Sequence, residues 1–376
     1  MASSRTQGTT GHHQTDDFRP ISGAGDFTAD VFGSLHRAEQ LRWARACLWA
    51  LARTEGRRTP HGLARTLDLP PAAARGLHQF VNVSPWDWRP VRARLAERVA
   101  GHVRPYAWTV EELAVPKAGP HSVGVHTWPD PDTGRPVSGQ RALGLFLVAP
   151  DEAFAVDWQL VLGGAWAWDR GLRHRARVPH AEGVRPDGPP LLDLAARAPA
   201  RTGPAGLPWV LDLTRCAQAA GVLDGLARQG AAVLAEVPAE LEVALEGVPG
   251  RAATAGAGAL TERLLARRPY PAARFHPGTV RPPGAARAYR LLGRAAPDGR
   301  GPARQWLTDL PDRSLDRVVP LLRARARSAA ALTALRERYG LLDFAGRSFP
   351  GWHHHMTLVS AAHARHRLAG DAGVGR

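Results

Sequence analysis

Three groups of residues in this chain could do chemistry by type and spacing: an arginine excess, a run of histidines at His353, His354 and His355, and two cysteines, Cys47 and Cys216. Arginine dominates. Lysine plus arginine outnumber acids 49 to 34 for a formal charge of +15, and every one of those cations except Lys117 is an arginine. A guanidinium keeps its charge at any working pH and grips phosphate oxygens through parallel N–H donors, so a polyanion is the expected partner, and double-stranded DNA fits best. A GC-rich coding sequence would also spread arginine widely, so charge alone does not settle the partner. Three consecutive histidines diverge around a helix and cannot converge on one ion. The cysteines are too few for a disulfide framework and too far apart for a zinc site, and are read as small apolar fillers.

The elements that must position these residues follow from periodicity. With 376 residues and 44% apolar content the chain can bury a substantial core. It has no run of about eighteen uncharged apolar residues and no secretory leader, so it is expected in the cytoplasm, associated with the nucleoid, and off the membrane. Residues 1–30 are polar and aperiodic and read as a disordered arm. Leu41, Ala44, Leu48 and Leu51 recur at helical spacing between Ser34 and Arg53. Thr59 and Pro60 start a further helix that ends near Leu67, and a turn through Asp68–Pro70 leads to another from about Ala72 to Val81. The pair has the dimensions of a helix-turn-helix, a geometry that plain core packing produces as often. Together these make a helical N-terminal domain over 31–104.

Beyond Pro105 the segments 107–113, 122–128, 141–149 and 154–162 read as strands, the last with Phe154, Val156, Trp158, Leu160 and Leu162 alternating toward a core. Segments 207–213 and 231–237 read as short buried strands around a helix from about Gln218 to Arg228, an α/β crossover. Residues 239–304 look like an insertion of indeterminate fold. From Ser314 to Tyr339 a long helix, bent at Pro320, is expected to carry Leu315, Val318, Leu322, Ala326, Ala329, Leu332 and Leu335 on one stripe, with Arg323, Arg325 and Arg327 among the arginines on its other faces.

Three strings, LHQFVNVSPWDWRPV at 77–91, VPKAGPHSVGV at 115–125 and LLDFAGRSFPGWHHHMTLV at 341–359, together resemble the IS-seven-hundred-one group of bacterial insertion-sequence transposases, within the DDE superfamily. With DWQL at 157–160 and QWLTDLP at 305–311 the similarity runs from about Phe32 to Ala364. The resemblance implies an α/β fold with an RNase H-like core, a five-stranded mixed sheet with flanking helices, over 105–376, carrying the insertion at about 239–304 before the last catalytic helix. It also implies DNA cleavage and strand transfer by two magnesium ions held on two aspartates and a glutamate, hard oxygen donors that suit an in-line displacement.

Carried onto this chain, the first family aspartate falls on the pair Glu111 and Glu112, ahead of Pro116 and Lys117, and the second on Asp212. Counting back from Leu335 and Gly340 puts the third ligand at Ala329, which has no oxygen to offer. The resemblance therefore implies a decayed triad: a DNA-binding transposase relative without cleavage activity, expected to hold no metal and no other cofactor although active relatives use Mg2+. Lys117, Arg323, Arg325 and Arg327 are the expected DNA contacts, and homodimerisation is left open. Two alternatives remain: an active transposase that recruits an unforeseen carboxylate for metal-dependent cleavage, and a protein–protein module derived from a transposase, which the arginine surplus disfavours.

Overall fold

In a computed structural model of the chain the described residues are 26–371, apart from 118, 120, 131–132, 183–189, 199–205, 247–253, 267–272, 297–301 and 312–314. The arm expected over 1–30 lies outside them as far as residue 25. Its last residues correct the expectation. The Asp26 carboxylate accepts from the Thr28 amide at 3.1 Å and starts α1 (Phe27–Val31), because Val31 and Phe32 are buried and anchor it. Next come α2 (Ala38–Arg53), α3 (Pro60–Thr66), α4 (Ala73–Asn82) and α5 (Trp88–Ala100). Thr59 caps α3 as its sequence suggests, accepting from the Gly62 amide at 3.1 Å. Helix α5 was not foreseen, although Val91, Leu95 and Val99 recur every four residues on its buried side and Asp87 caps it.

The sheet begins with β1 (Ala107–Pro116), β2 (His126–Pro129), β3 (Pro136–Val148) and β4 (Ala153–Val161). The segment expected as a strand over 122–128 contributes only β2. Helices α6 (Arg170–Arg175) and α7 (Pro190–Arg197) precede β5 (Trp209–Asp212), α8 (Ala219–Arg228) and β6 (Val233–Glu236). Strand β3 pairs antiparallel with both β1 and β4, while β1, β5 and β6 run parallel in that order. The order β4-β3-β1-β5-β6 is the five-stranded RNase H-like core.

The insertion is more regular than its composition suggests. It holds β7 (Glu242–Leu245), β8 (Thr254–Gly256), α9 (Ala257–Ala266), β9 (Ala273–Arg281), β10 (Tyr289–Arg294) and the start of β11 (Arg304–Thr308). Strand β11 pairs antiparallel with β6, Leu307 opposite Ala235, so the insertion continues the core sheet to eleven described strands. The open edge of β6 dictates this: unpaired backbone groups on a buried parallel strand must find partners.

The expected long C-terminal helix is broken. Helix α10 (Leu315–Val318) passes through a 3-10 turn over Val319–Arg323 into α11 (Ala324–Arg338), the interruption falling at Pro320, which lacks an N–H. A final helix, α12 (Phe349–Asp371), closes the molecule. Helices α2, α4 and α5 pack on it, so the N-terminal helices share one continuous core with the sheet. Trp86, Trp88 and Trp352 are buried in that junction, as expected of anchoring residues.

The same junction explains the histidine run. His353 stacks on Trp88 with centroids 4.4 Å apart, and His354 stacks on Trp86 at 3.9 Å while both its ring nitrogens face carbonyls, those of Val81 and Trp86. His355 faces the Gly340 carbonyl at 3.0 Å. The three rings point three ways, each into packing.

Arg92 locks the junction. Its buried guanidinium donates to Asp157 Oδ1 at 2.7 Å, Thr357 Oγ1 at 2.8 Å, and the Trp158 and His353 carbonyls at 2.9 Å each, joining α5, β4 and α12. Arg92→Ala leaves all four acceptors short of a donor, and the expected loss of about 3–5 kcal/mol should appear in urea unfolding. A loss under about 1 kcal/mol would show that the junction does not depend on this residue.

Candidate functional site

Alternation along β1 separates the two adjacent glutamates. Glu112 points outward, half-exposed, and its carboxylate receives the Arg141 Nε from β3 at 2.7 Å. Glu111 points to the opposite face and is buried. It lies two residues beyond Thr109, which is paired with Val210, and Asp212 lies two beyond Val210, so the two acids stand side by side at the carboxyl end of neighbouring parallel strands. Asp212 in turn is paired with Glu236 on β6. Three adjacent parallel strands thus present a row of carboxylates, of which sequence reasoning missed the third. The signal was available: WVLD and VLAE each place an acid after three apolar strand residues.

Helix α11 covers this row, but not in the register expected. Ala329 is exposed, and Ser328, one residue earlier, is buried and donates from Oγ to Glu111 Oε1 at 2.6 Å. The correction has a geometric cause. One residue turns a helix by about 100°, and positions three and four before Leu332 are equally compatible with an apolar stripe. The stripe that forms runs through Ala324, Ser328, Ala331 and Leu335. A serine qualifies because a buried carboxylate satisfies its hydroxyl.

The arginines of this segment also divide. Arg325 turns onto the acids, with Nη1 2.5 Å from Asp212 Oδ2 and Nη2 3.4 Å from Glu111 Oε2. Arg327 donates to the Tyr106 hydroxyl at 3.0 Å, and Arg323 is exposed. Lys117 is half-buried and donates to the Phe344 carbonyl, tying the end of β1 to the segment before α12. Glu236 is held by Arg304, whose Nε lies 2.6 Å from Oε1.

Burial pushes the Glu111 carboxyl above its ordinary value, and Arg325 and Ser328 offset only part of that. Burial also acts upward on Asp212, yet the Thr214 hydroxyl and amide, with Arg325, hold its carboxyl below the usual value. Arg325 is therefore the positive charge between two carboxylates.

The donor set does not fit two magnesium ions. The oxygen supplied by α11 is a hydroxyl, and among the described residues no group of three or more His, Cys, Asp or Glu side chains could hold a metal. A cation entering beside Arg325 would also meet like charge: one pair of unit charges about 4 Å apart costs about 4 kcal/mol at an effective dielectric of 20, and a divalent ion doubles it.

A family profile described as DDE superfamily endonuclease matches residues 30–292, well over half of the chain. The chain belongs to this family. The match covers Glu111, Asp212 and Glu236 and ends before α11, so the corrected position at Ser328 lies beyond it. Among solved structures, the piggyBac transposase in its cryo-EM synaptic complex with hairpin DNA aligns over 92% of this chain and 72% of that one, at 10% identity and a TM-score of 0.47, a likeness too slight to carry weight. Among curated proteins none matches the chain. Among the described residues no helix is long and apolar enough to cross a membrane.

Proposed function

We propose that this DDE-superfamily chain is a DNA-binding relative of the IS-seven-hundred-one group of bacterial insertion-sequence transposases that does not cut DNA, acting in the cytoplasm on the nucleoid. The bridge from Arg325 to Glu111 and Asp212 carries this reading. A guanidinium satisfies the two carboxylates that a catalytic metal would need, and Ser328 supplies a hydroxyl where the superfamily's chemistry asks for a third carboxylate. Double-stranded DNA is the partner that suits a chain of +15 whose cations are arginines. With Arg325 committed to the acids, the phosphate contacts fall to Arg323 and to other exposed arginines.

No nicking of supercoiled DNA is expected with Mg2+ or Mn2+. Duplex binding followed by fluorescence anisotropy should weaken steeply with salt, log affinity falling with log salt at a slope of about 0.9 per phosphate contact, and should persist in EDTA. Metal-dependent nicking that disappears in Asp212→Ala would overturn the inactive reading. The row of carboxylates favours one second reading, an active transposase that recruits Glu236 beside Asp212, and nicking abolished by both Asp212→Ala and Glu236→Gln would select it. An absence of DNA binding even at low salt would favour a protein–protein module.

A further inference from the structure

Strands β1 and β4 both run antiparallel to β3, with Ala114 and Val161 opposite the same residue, Arg141. The chain after Val161 therefore leaves the sheet at its carboxyl end, the end that carries Glu111 and Asp212. There it builds a stiff projection. Gly164 turns at φ +58°, and a 3-10 turn over Gly164–Ala167 follows. Trp166 is buried and donates from Nε1 to the Val125 carbonyl at 2.8 Å. Asp169 accepts from the Leu172 amide at 2.8 Å and caps α6, while the buried Arg173 returns to the Trp166 carbonyl at 2.8 Å and the Pro179 carbonyl at 3.0 Å.

This frame holds Trp168 out into solvent, 73% exposed. Val83 is the only other large apolar side chain so exposed among the described residues. Arg170 and Arg175 lie on α6, which follows Trp168 directly after the Asp169 cap, both exposed and, among the described residues, without a carboxylate partner. An exposed indole fixed on a rigid scaffold beside unneutralised guanidinium groups is the chemistry that takes a nucleobase face and its flanking phosphates. Bases within a duplex are already stacked on both faces, so the surface fits a base that is not.

We propose that Trp168 is a stacking platform for an unpaired base in DNA, with Arg170 and Arg175 on the adjacent phosphates. This rests on the DNA-binding reading above and adds what part of the DNA the projection takes. An apolar pocket on a partner protein is the competing occupant, and the arginines argue against it.

The test compares the full chain with Trp168→Ala, Trp168→Phe and the double variant Arg170→Ala/Arg175→Ala. Anisotropy would be measured on a fully paired duplex and on the same duplex carrying a five-nucleotide single-stranded gap. Wild type should prefer the gapped DNA, Trp168→Ala should lose about tenfold or more on it with little change on the paired duplex, and Trp168→Phe should keep most of the preference. The arginine pair should lower the salt slope by about two. A 2-aminopurine placed in the gap should be quenched by wild type and not by Trp168→Ala. Because Trp168 is exposed, unchanged thermal unfolding is expected in each variant. Trp168→Ala binding gapped DNA as wild type does, or losing both DNAs equally, would overturn the platform while leaving the DNA-binding reading intact. Wild type that binds neither DNA at low salt would overturn the DNA-binding reading and the platform with it.

Discussion

Titrated downward from pH 7, the protein is expected to unfold cooperatively between about pH 6 and pH 4.5, above the range in which most carboxylates protonate, taking up about four protons. Four histidines of α12 drive this. Burial holds His354 and His355 down to about 4, His363 to about 3, and His353 far below the ordinary 6.5. Each folded value lies below its unfolded one, so between them the unfolded state binds more protons and stability falls as pH falls. At 1.36 kcal/mol per unit, His354, His355 and His363 each contribute on the order of 3 kcal/mol across that window, together about 10 kcal/mol, comparable to the typical 5–15 kcal/mol of a whole domain's stability, and His353 acts in the same direction. Unfolding should therefore intervene before the native rings titrate. The geometry agrees for two of them: His353 has no partner for either ring nitrogen and His363 none for Nδ1, whereas the carbonyls facing His355 Nε2 favour its protonated form and burial outweighs them. His354 is likewise opposed, since two facing carbonyls would suit a doubly protonated ring, but burial outweighs them. Urea unfolding at pH 7, 6 and 5 would measure the slope, and a flat stability across that range would refute the account. His353→Phe should keep the stack on Trp88, remove two unsatisfied nitrogens, reduce the slope by about one proton, and raise stability by about 1 kcal/mol at pH 7.

Arg325→Ala is expected to cost about 2–4 kcal/mol at pH 7, because it strands Glu111 beside a single hydroxyl and sets two carboxylates facing each other on neighbouring strands. The lower part of that range is the better guide, since Arg325 and Asp212 are 29% and 31% exposed and water screens their pair. The two acids respond oppositely to pH. Glu111 is raised, so its folded state holds a proton more firmly than the unfolded chain, and its contribution declines as pH rises from the ordinary glutamate value through the raised one. Asp212 is lowered, so its contribution is present above the ordinary aspartate value and is lost as pH falls through the lowered one. Glu111→Gln should therefore be neutral or mildly stabilising at pH 7, whereas Asp212→Asn should destabilise. Removing Arg325 also removes the positive charge that opposes a metal, so Mn2+ should raise the unfolding temperature of Arg325→Ala and leave that of wild type unchanged. An Arg325→Ala protein as stable as wild type and indifferent to Mn2+ would remove the argument that a guanidinium fills a cation's place.

The amino-acid pattern alone determined the core strands, since β1, β3, β4, β5 and β6 each show a run of apolar or alternating residues that only a buried sheet satisfies. It also determined that the three histidines cannot share an ion and that the C-terminal helix deviates at Pro320, where the expected bend is a break, because both follow from local backbone geometry. The separation of Glu111 from Glu112 was equally local, being the period of a strand. What needed the tertiary structure was everything that depends on helical phase and long-range pairing. Leu332 is compatible with a buried residue either three or four places earlier, and only the packing of α11 on β1 selects Ser328 over Ala329. The insertion, poor in apolar runs, becomes sheet because β6 offers it an edge, a partner 68 residues away in sequence at Glu236 and Arg304. Arg325 read as a surface cation because composition records charge and not direction. Its side chain turns inward because two carboxylates, brought together by parallel pairing of distant strands, lower its energy more than solvent does.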